Sequence, residues 1–536
     1  FEENDSRAIL YVYSFISGAD WADEVARLDR MSKITKQDVV EWANKYLGPE
    51  SYAIIYKREG KDPDEQKIAA PKITPIVTNR DSQSEFLSEI QTSQVQPIEP
   101  VFVDYKKDMS QFEAQPGIDV LYKKNETNDI FTLIYVFNTG TENDPALNLA
   151  FNYLSYLGTD KMTAEEIASE MYDIACSFYM NAGANQSSIQ ITGLSENMGK
   201  AMEIVEGLIA GAKPDEAILE NLKGDMLKSR ADAKLNQSRC FGALQRYLFY
   251  GGDFIRRTTL TDPALQALTS EQLLAKIGGL MGKQHEVLYY GPQKEAEVKS
   301  ALAEHHKVAA DLQPLEKKFS TLLPTDANKV VLAQYDAKQL YYLQFSNRGE
   351  KFDVAADPEI TLYNEYFGGG MNTIVFQEMR EARGLAYTAW ATLATPSNAN
   401  GDYSYYAFIA TQNDKMQKAA EAFDDIINNM PESEKAFGIA KEALVSRLRT
   451  ERTVKDGVLW SYLRARDLGL DAPRDKQIFE KVQSMTLDDV KAAQQKWVKG
   501  RKYVYGILGD IQDLDLNYLK TLGPIQTVSQ EEIFGY

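Results

Sequence analysis

The chain has 536 residues, 59 Lys+Arg against 78 Asp+Glu for a net charge of −19, with 44% hydrophobic and 26% charged residues. The composition is that of a globular protein of about two to four domains. The acidic balance argues against nucleic acid or an anionic membrane as partner, and no run of about 18 apolar residues marks a membrane span.

The chain opens FEENDSRAIL, without initiator Met or signal peptide. It reads as an internal start, so nothing follows from the absence of a targeting signal. SRAILYVYSFISGAD (6–20) reads as a helix. ITKQDVVEWANKYLGPESYAIIY (34–56) reads as a helix of about 12 residues followed by a Tyr/Ile-rich strand, with Thr35 as N-cap and Asp38 placed to reach back to it. Residues 61–99 are rich in Pro, Ser, Gln and charge and read as an interdomain linker.

The same pattern returns twice. LTSEQLLAKIGGLMGKQHEVLYYG (268–291) has Thr269 and Gln272 in the cap positions, and MTLDDVKAAQQKWVKGRKYVYGILG (485–509) has Thr486 and Asp489. Upstream lie SRCFGALQRYLFYGGD (238–253) and GVLWSYLRARDLGLD (457–471), counterparts of 6–20. The offsets, 268 − 34 = 234 and 485 − 268 = 217, are domain-sized. The fronts of two units also match, 130–159 with 340–370 and 197–212 with 414–429. The expectation is an α+β chain: two tandem domains at 100–315 and 316–536, each an antiparallel sheet with helices on one face, preceded at 1–60 by the tail of a third.

Catalytic residue types are scarce. His285 has no second His at i+4, and the adjacent His305 and His306 would diverge on a helix, so all three read as structural or surface residues. Cys176 and Cys240 have no metal-type spacing and sit among apolar and aromatic neighbours; two buried thiols are expected rather than a disulfide, and a Cys/His nucleophilic pair is disfavoured. FGGGMN (367–372) lacks the Lys and Ser/Thr of a phosphate cradle, and Gly368, Gly369 and Gly370 read as places of close backbone approach, by a neighbouring helix or by a bound chain. MREARGLAYTAW (379–390) sets Arg380 and Tyr387 seven residues apart, on one face if the helix were unbroken, but Gly384 intervenes.

YFGGGMNTIVFQEMREARGLAYTAWATL (366–393) resembles the C-terminal-half signature of the M16 (insulinase, or pitrilysin) zinc metallopeptidases. The resemblance implies four such units in two halves joined by a linker and closing on a peptide, with this chain the C-terminal half. The family's H-x-x-E-H zinc motif belongs to the first unit. Here LAFNYLSYLGT (149–159) puts Leu149, Asn152 and Tyr153 at the motif positions, and EITLYNEYFGGG (359–370) has Glu365 but no His, so no metal residue is expected in this chain. Arg380 and Tyr387 match the family's Arg and Tyr, which donate to the substrate carbonyl or oxyanion opposite the zinc; Arg383 lies off that pair and is assigned to the surface. The implied activity is a zinc-dependent endopeptidase, with zinc and general base on the absent N-terminal half and with peptide or unfolded polypeptide as substrate. The alternative is a non-catalytic M16-like scaffold or a peptide-binding partner subunit. Family members of this look suggest a bacterial periplasm.

Overall fold

The computed structural model describes residues 4–57, 60, 84–94 and 96–536. The chain forms two compact bodies, Phe1–Gln94 and Val95–Tyr536.

In the first body the helices are Asn4–Ser17, Trp21–Val25, Arg27–Met31, Lys36–Tyr46 and Glu85–Thr92. Thr35 caps Lys36–Tyr46 in the expected way: its hydroxyl accepts from Asp38 N at 3.2 Å, and the Asp38 carboxylate accepts from Thr35 N at 2.7 Å. The strand expected over 52–56 does not form, and residues 52–57 are irregular. A strand is completed by a neighbouring ladder, and no strand of this body is described beside it. Residues 61–83 and 95 of the expected linker lie outside the described residues, and Glu85–Thr92 within it is helical.

The second body holds two six-stranded sheets. The first comprises β1 (Ser110–Gln115), β2 (Ile118–Lys124), β3 (Ile130–Phe137), β4 (Cys176–Ala182), β5 (Ser187–Leu194) and β6 (His285–Gly291), in the order β1-β2-β6-β3-β5-β4. The second comprises β7 (Lys329–Gln334), β8 (Gln339–Lys351), β9 (Ala386–Ala394), β10 (Asp402–Gln412), β11 (Val504–Gly509) and β12 (Ile525–Val528), in the order β12-β7-β11-β8-β10-β9. The orders superpose position by position as far as the outermost strand of one edge. That strand is β1, from the front of the repeat and antiparallel to its neighbour, in one sheet. It is β12, from the end of the chain and parallel to its neighbour, in the other. Most pairings are antiparallel, but β2 with β6 and β7 with β11 are parallel. The cap pairs Thr269/Gln272 and Thr486/Asp489 form, opening the helices Ser270–Met281 and Leu487–Ala493 that lead into β6 and β11.

Helices from the same repeat cover one face of each sheet. The far faces are covered crosswise. Helix Gln237–Thr258, from the first repeat, lays Cys240, Leu244 and Leu248 on Val331, Ala333, Leu343 and Leu508 of the second sheet. The approach is close enough that a Cβ on Gly506 would meet the end of the Leu248 side chain at 2.2 Å, so any larger residue there would force the buried Leu248 to move. In return, helix Gly457–Asp467, from the second repeat, lays Val458, Leu459 and Leu463 on Leu121, Ile134, Val136 and Leu288 of the first sheet. Arg466 of that helix makes a bidentate pair with Glu286 of β6, at 2.5 and 2.7 Å, with the Glu286 side chain only 12% exposed. The Tyr105 hydroxyl lies 2.8 Å from Ser461 Oγ at the same contact.

Arg466→Ala leaves the Glu286 carboxylate without its charged partner and is expected to lower stability by about 2 kcal/mol. Arg383→Ala, which removes two ion pairs at the surface, is expected to cost less, about 0.5 to 1 kcal/mol. Urea unfolding of the two variants beside the parent chain compares the two costs.

Candidate functional site

The Arg380–Tyr387 region is built from two departures from regular backbone. After Ile374–Phe376 the helix widens to π geometry over Gln377–Ala382, with Arg383 N donating to Glu378 O at 3.2 Å. Insertions of this kind recur at functional sites because they turn a side chain out of the helical register. Gly384 then adopts φ +56°, a left-handed conformation suited to glycine, and Leu385 N donates back to Met379 O at 2.9 Å. The chain enters β9 at once. Thr388 pairs with Ala410 and Ala386 with Thr411, which leaves Tyr387 as the extra residue of a β-bulge.

Arg380 and Tyr387 are therefore brought together, but not along a helix face as their spacing would suggest. The Arg380 guanidinium carbon lies 4.6 Å from the Tyr387 ring centroid and 4.9 Å from that of Phe376. Its Nε is 3.5 Å from Glu381. The Tyr387 side chain is 75% exposed. Arg383 turns away: it pairs with Asp425 at 2.7 Å and with Glu378 at 3.3 Å, raising its own pKa chiefly through the hydrogen bond to Asp425 and lowering that carboxylate's in return.

The glycine turn divides into two parts. The Gly368 carbonyl accepts from Ala391 N on the outer edge of β9 at 3.2 Å, and a Cβ there would meet Asn364 O at 2.5 Å and Ala391 O at 2.7 Å. Asn364 continues the cover, exchanging two hydrogen bonds of 2.9 Å with Leu393. The outer edge of β9 is thus capped at Ala391 and Leu393, and the stretch Ala386–Ala389 beside Tyr387 lies ahead of that cap. Gly369 and Gly370 are exposed and have room for a Cβ.

Two of the three positions set against a zinc motif are packing positions. Leu149 and Tyr153 are buried on helix Leu147–Leu154, Asn152 is exposed, and the Tyr153 hydroxyl lies 2.7 Å from Ser270 Oγ and accepts from Asp215 N at 2.7 Å. Glu365 pairs with Arg447 at 3.1 Å on the surface. Among the described residues, no group of three His, Cys, Asp or Glu side chains is placed to hold a metal ion. Cys176 and Cys240 are free and buried, and burial raises both thiols.

One constellation has no simple sequence signature. His285 Nδ1 donates to Lys283 O at 2.8 Å, which fixes its Nε2 as acceptor for His306 Nε2–H at 2.8 Å. His306 Nδ1 lies 2.6 Å from Glu206, which also accepts from Tyr135 OH and Lys307 N, both at 2.8 Å. His306 turns inward while the adjacent His305 stays near Glu203, at 3.2 Å. The network ties β3, β6 and helix Met198–Gly211 together. Neither Cys joins it; Cys240 contacts Lys234 O and Gln530 instead.

Residues 284–444 match the family model described as the Peptidase M16 inactive domain. Over those residues the chain is similar to M16 inactive domains. It is 21% identical over 398 residues to an uncharacterized zinc protease of Streptomyces coelicolor, covering 69% of this chain and 82% of that protein. It is 23% identical over 312 residues to an uncharacterized zinc protease of Rickettsia bellii, covering 56% and 70%. Its fold is similar to that of a peptidase M16 inactive domain from Pseudomonas fluorescens, with TM-score 0.59 and 18% identity over 75% of this chain and 98% of that one. It is also similar to the periplasmic protease PqqL from Escherichia coli, with TM-score 0.58 and 12% identity over 90% of this chain. The ferredoxin protease FusC, in a complex with Arabidopsis ferredoxin, gives TM-score 0.59 and 13% identity over 89%. The chain spans about half of these last two, 52% of PqqL and 51% of FusC.

The His285 network makes stability pH-dependent. Burial, with the His306 ring beside it, holds His285 down to about 4 from an ordinary 6.5. The neutral ring is the folded form, so this contribution is complete above pH 6.5, is lost as pH falls towards 4, and changes no further below. The full loss is about 3 kcal/mol. Urea midpoints measured from pH 7 to 4 should fall more steeply for the parent than for His285→Gln, which does not titrate.

Proposed function

We propose that this chain is the metal-free half of an M16-type zinc endopeptidase, with Arg380 and Tyr387 serving a substrate held against zinc on an N-terminal half. The observation that carries this reading is the pairing of the two donors at consecutive backbone irregularities, with Tyr387 exposed beside an outer strand. The strand offers a peptide its exposed start at Tyr387 and Thr388 as a ladder partner, a recognition mode tolerant of sequence. Water attack on the scissile carbonyl places negative charge on its oxygen. Tyr387 donates its phenolic hydrogen to that oxygen, and Arg380, stacked on the ring, fixes the phenol and adds positive charge nearby. Gly369 and Gly370 leave backbone accessible to the same peptide. Zinc and the general base are supplied by the other half; the packed Leu149 and Tyr153 do not provide them. Substrates are peptides or unfolded polypeptide, and the setting is periplasmic, in keeping with PqqL. Among the described residues no helix is long and apolar enough to cross a membrane.

In the complete protein, Tyr387→Phe is expected to lower kcat about 100-fold with zinc content unchanged, the loss of one preorganised donor, and Arg380→Ala should lower it less. Steady-state peptide cleavage alongside metal analysis measures both. Full turnover in both variants would take the pair out of the chemistry and favour a plain peptide-binding role for this chain, whereas a complete protein without zinc-dependent cleavage would favour a scaffold. Chelator-sensitive cleavage by this chain alone would overturn the division of labour.

A further inference from the structure

Helix Gln237–Thr258 covers the far face of the second sheet over β7, β11 and β8. It reaches β10 through Phe241 on Phe408 and Phe249 on Tyr406, with ring centroids 5.0 and 5.5 Å apart. β9, the strand that starts at the candidate site, lies beyond β10 in the sheet order. Side chains alternate along a strand, so Thr388, Trp390, Thr392 and Ala394 share this far face, opposite Ala410, Phe408, Tyr406 and Ser404 of β10. Thr388 is exposed, and Trp390, Thr392 and Ala394 are half-buried. Trp390 meets Tyr406 edge-on at 5.6 Å, and Phe249 meets Tyr250 at 6.4 Å. A row of half-buried rings, Trp390–Tyr406–Phe249–Tyr250, thus leads away from the strand that carries Tyr387.

The row ends in a cavity of about 470 Å³, lined by Phe249, Tyr250, Phe319 and Tyr406 and by the turn that joins β9 to β10. Among the described residues lining it, only Asp402 carries a charge, and that carboxylate is engaged: Lys351 Nζ lies 2.6 Å from it and Asn347 Nδ2 donates to it at 3.1 Å. Aromatic walls with short hydroxyl and amide groups and no unpaired charge suit a large neutral side chain. From Thr388 to Ala394 is a rise of about 20 Å, the reach of about six residues of extended peptide. Gly368 and Asn364 cap the outer edge of β9 at Ala391 and Leu393. A peptide paired at Tyr387 and Thr388 therefore leaves the ladder there, and the far face, over Trp390 and Thr392, is the way left open to it.

We propose that this cavity is a second subsite for the same substrate, taking an aromatic or other large apolar side chain about six residues from the cleaved bond, with Trp390 and Tyr406 in contact with the chain between. What the peptide undergoes rests on the function proposed above; the chemistry of the cavity does not. The subsite adds a length requirement to a site otherwise tolerant of sequence: a peptide too short to span from Tyr387 to the cavity forgoes the contact.

Matched peptides carrying Trp or Ser about six residues from the cleaved bond, one pair on each side of it, test this in the complete protein. On one side kcat/KM should favour Trp by about tenfold or more, chiefly through KM. The preference should vanish in Asn400→Trp, which places a large side chain at the cavity from the exposed turn. Equal kcat/KM within both pairs, or a preference that survives Asn400→Trp, would overturn the subsite; cleavage that still falls in Tyr387→Phe would leave the peptidase reading standing. A second readout needs no turnover. The same peptide with benzoylphenylalanine in place of Trp should crosslink to 249–250, 319–322 or 394–406 on irradiation, as mapped by mass spectrometry. Labelling elsewhere alone would overturn the proposal. Labelling there, in a protein without zinc-dependent cleavage, would uphold the subsite and contradict the peptidase reading.

Discussion

Each six-stranded sheet has two apolar faces, and the helices of its own repeat cover only one. Leu121, Ile134, Val136 and Leu288 on one sheet, and Val331, Ala333, Leu343 and Leu508 on the other, would meet water without a layer from elsewhere. A sheet so exposed would lose a large share of its hydrophobic stabilisation. The two repeats of the second body meet this constraint by exchange, each giving one helix to the other. Arg466 and Glu286 fix one crossing electrostatically, and Leu248 against Gly506 fixes the other sterically. The exchange makes the two sheets one cooperative body and holds the second sheet firm beneath the candidate site.

That firmness matters for Arg380 and Tyr387. Neither lies in regular structure: the π segment ends at Ala382, Gly384 turns left-handed, and Tyr387 bulges from an outer strand. Irregular backbone holds a defined geometry only where its surroundings over-determine it. Here Met379 and Leu385 are buried on either side of the turn, Thr411 Oγ1 donates to Leu385 O at 2.6 Å, and Arg383 ties the segment to Asp425 at 2.7 Å. The result is an exposed phenol and guanidinium on a fixed base, the arrangement required for stabilising charge that develops during a reaction. The two ring-stacked groups also explain why seven residues of separation yield contact without a continuous helix.

Much of this was legible in the sequence. The Thr35, Thr269 and Thr486 cap boxes form with the expected partners, because capping is local chemistry that tertiary structure seldom overrides. The repeats matched by sequence occupy matched places in the sheet orders. The strand at 52–56 was legible as a propensity but not as an outcome, since pairing depends on a neighbour. The crosswise cover was not legible either: the pattern of 238–253 shows an apolar face without saying which sheet receives it. The His285–His306–Glu206 network joins residues 79 and 100 positions apart and gives no local signal beyond three isolated titratable groups. In the site itself, the residue types and their spacing were readable, whereas the π segment and the bulge that orient them arise from packing.

The central claim is that Tyr387 recognises charge on the reacting carbonyl more than the resting peptide. The most direct measurement compares, in the complete protein, the affinity of a phosphonamidate peptide, which imitates the tetrahedral intermediate, with that of the matching uncleaved peptide. Tyr387→Phe should weaken the phosphonamidate about as much as it lowers kcat/KM and leave the peptide's Kd nearly unchanged. Equal weakening of both ligands, or of neither, would contradict the account.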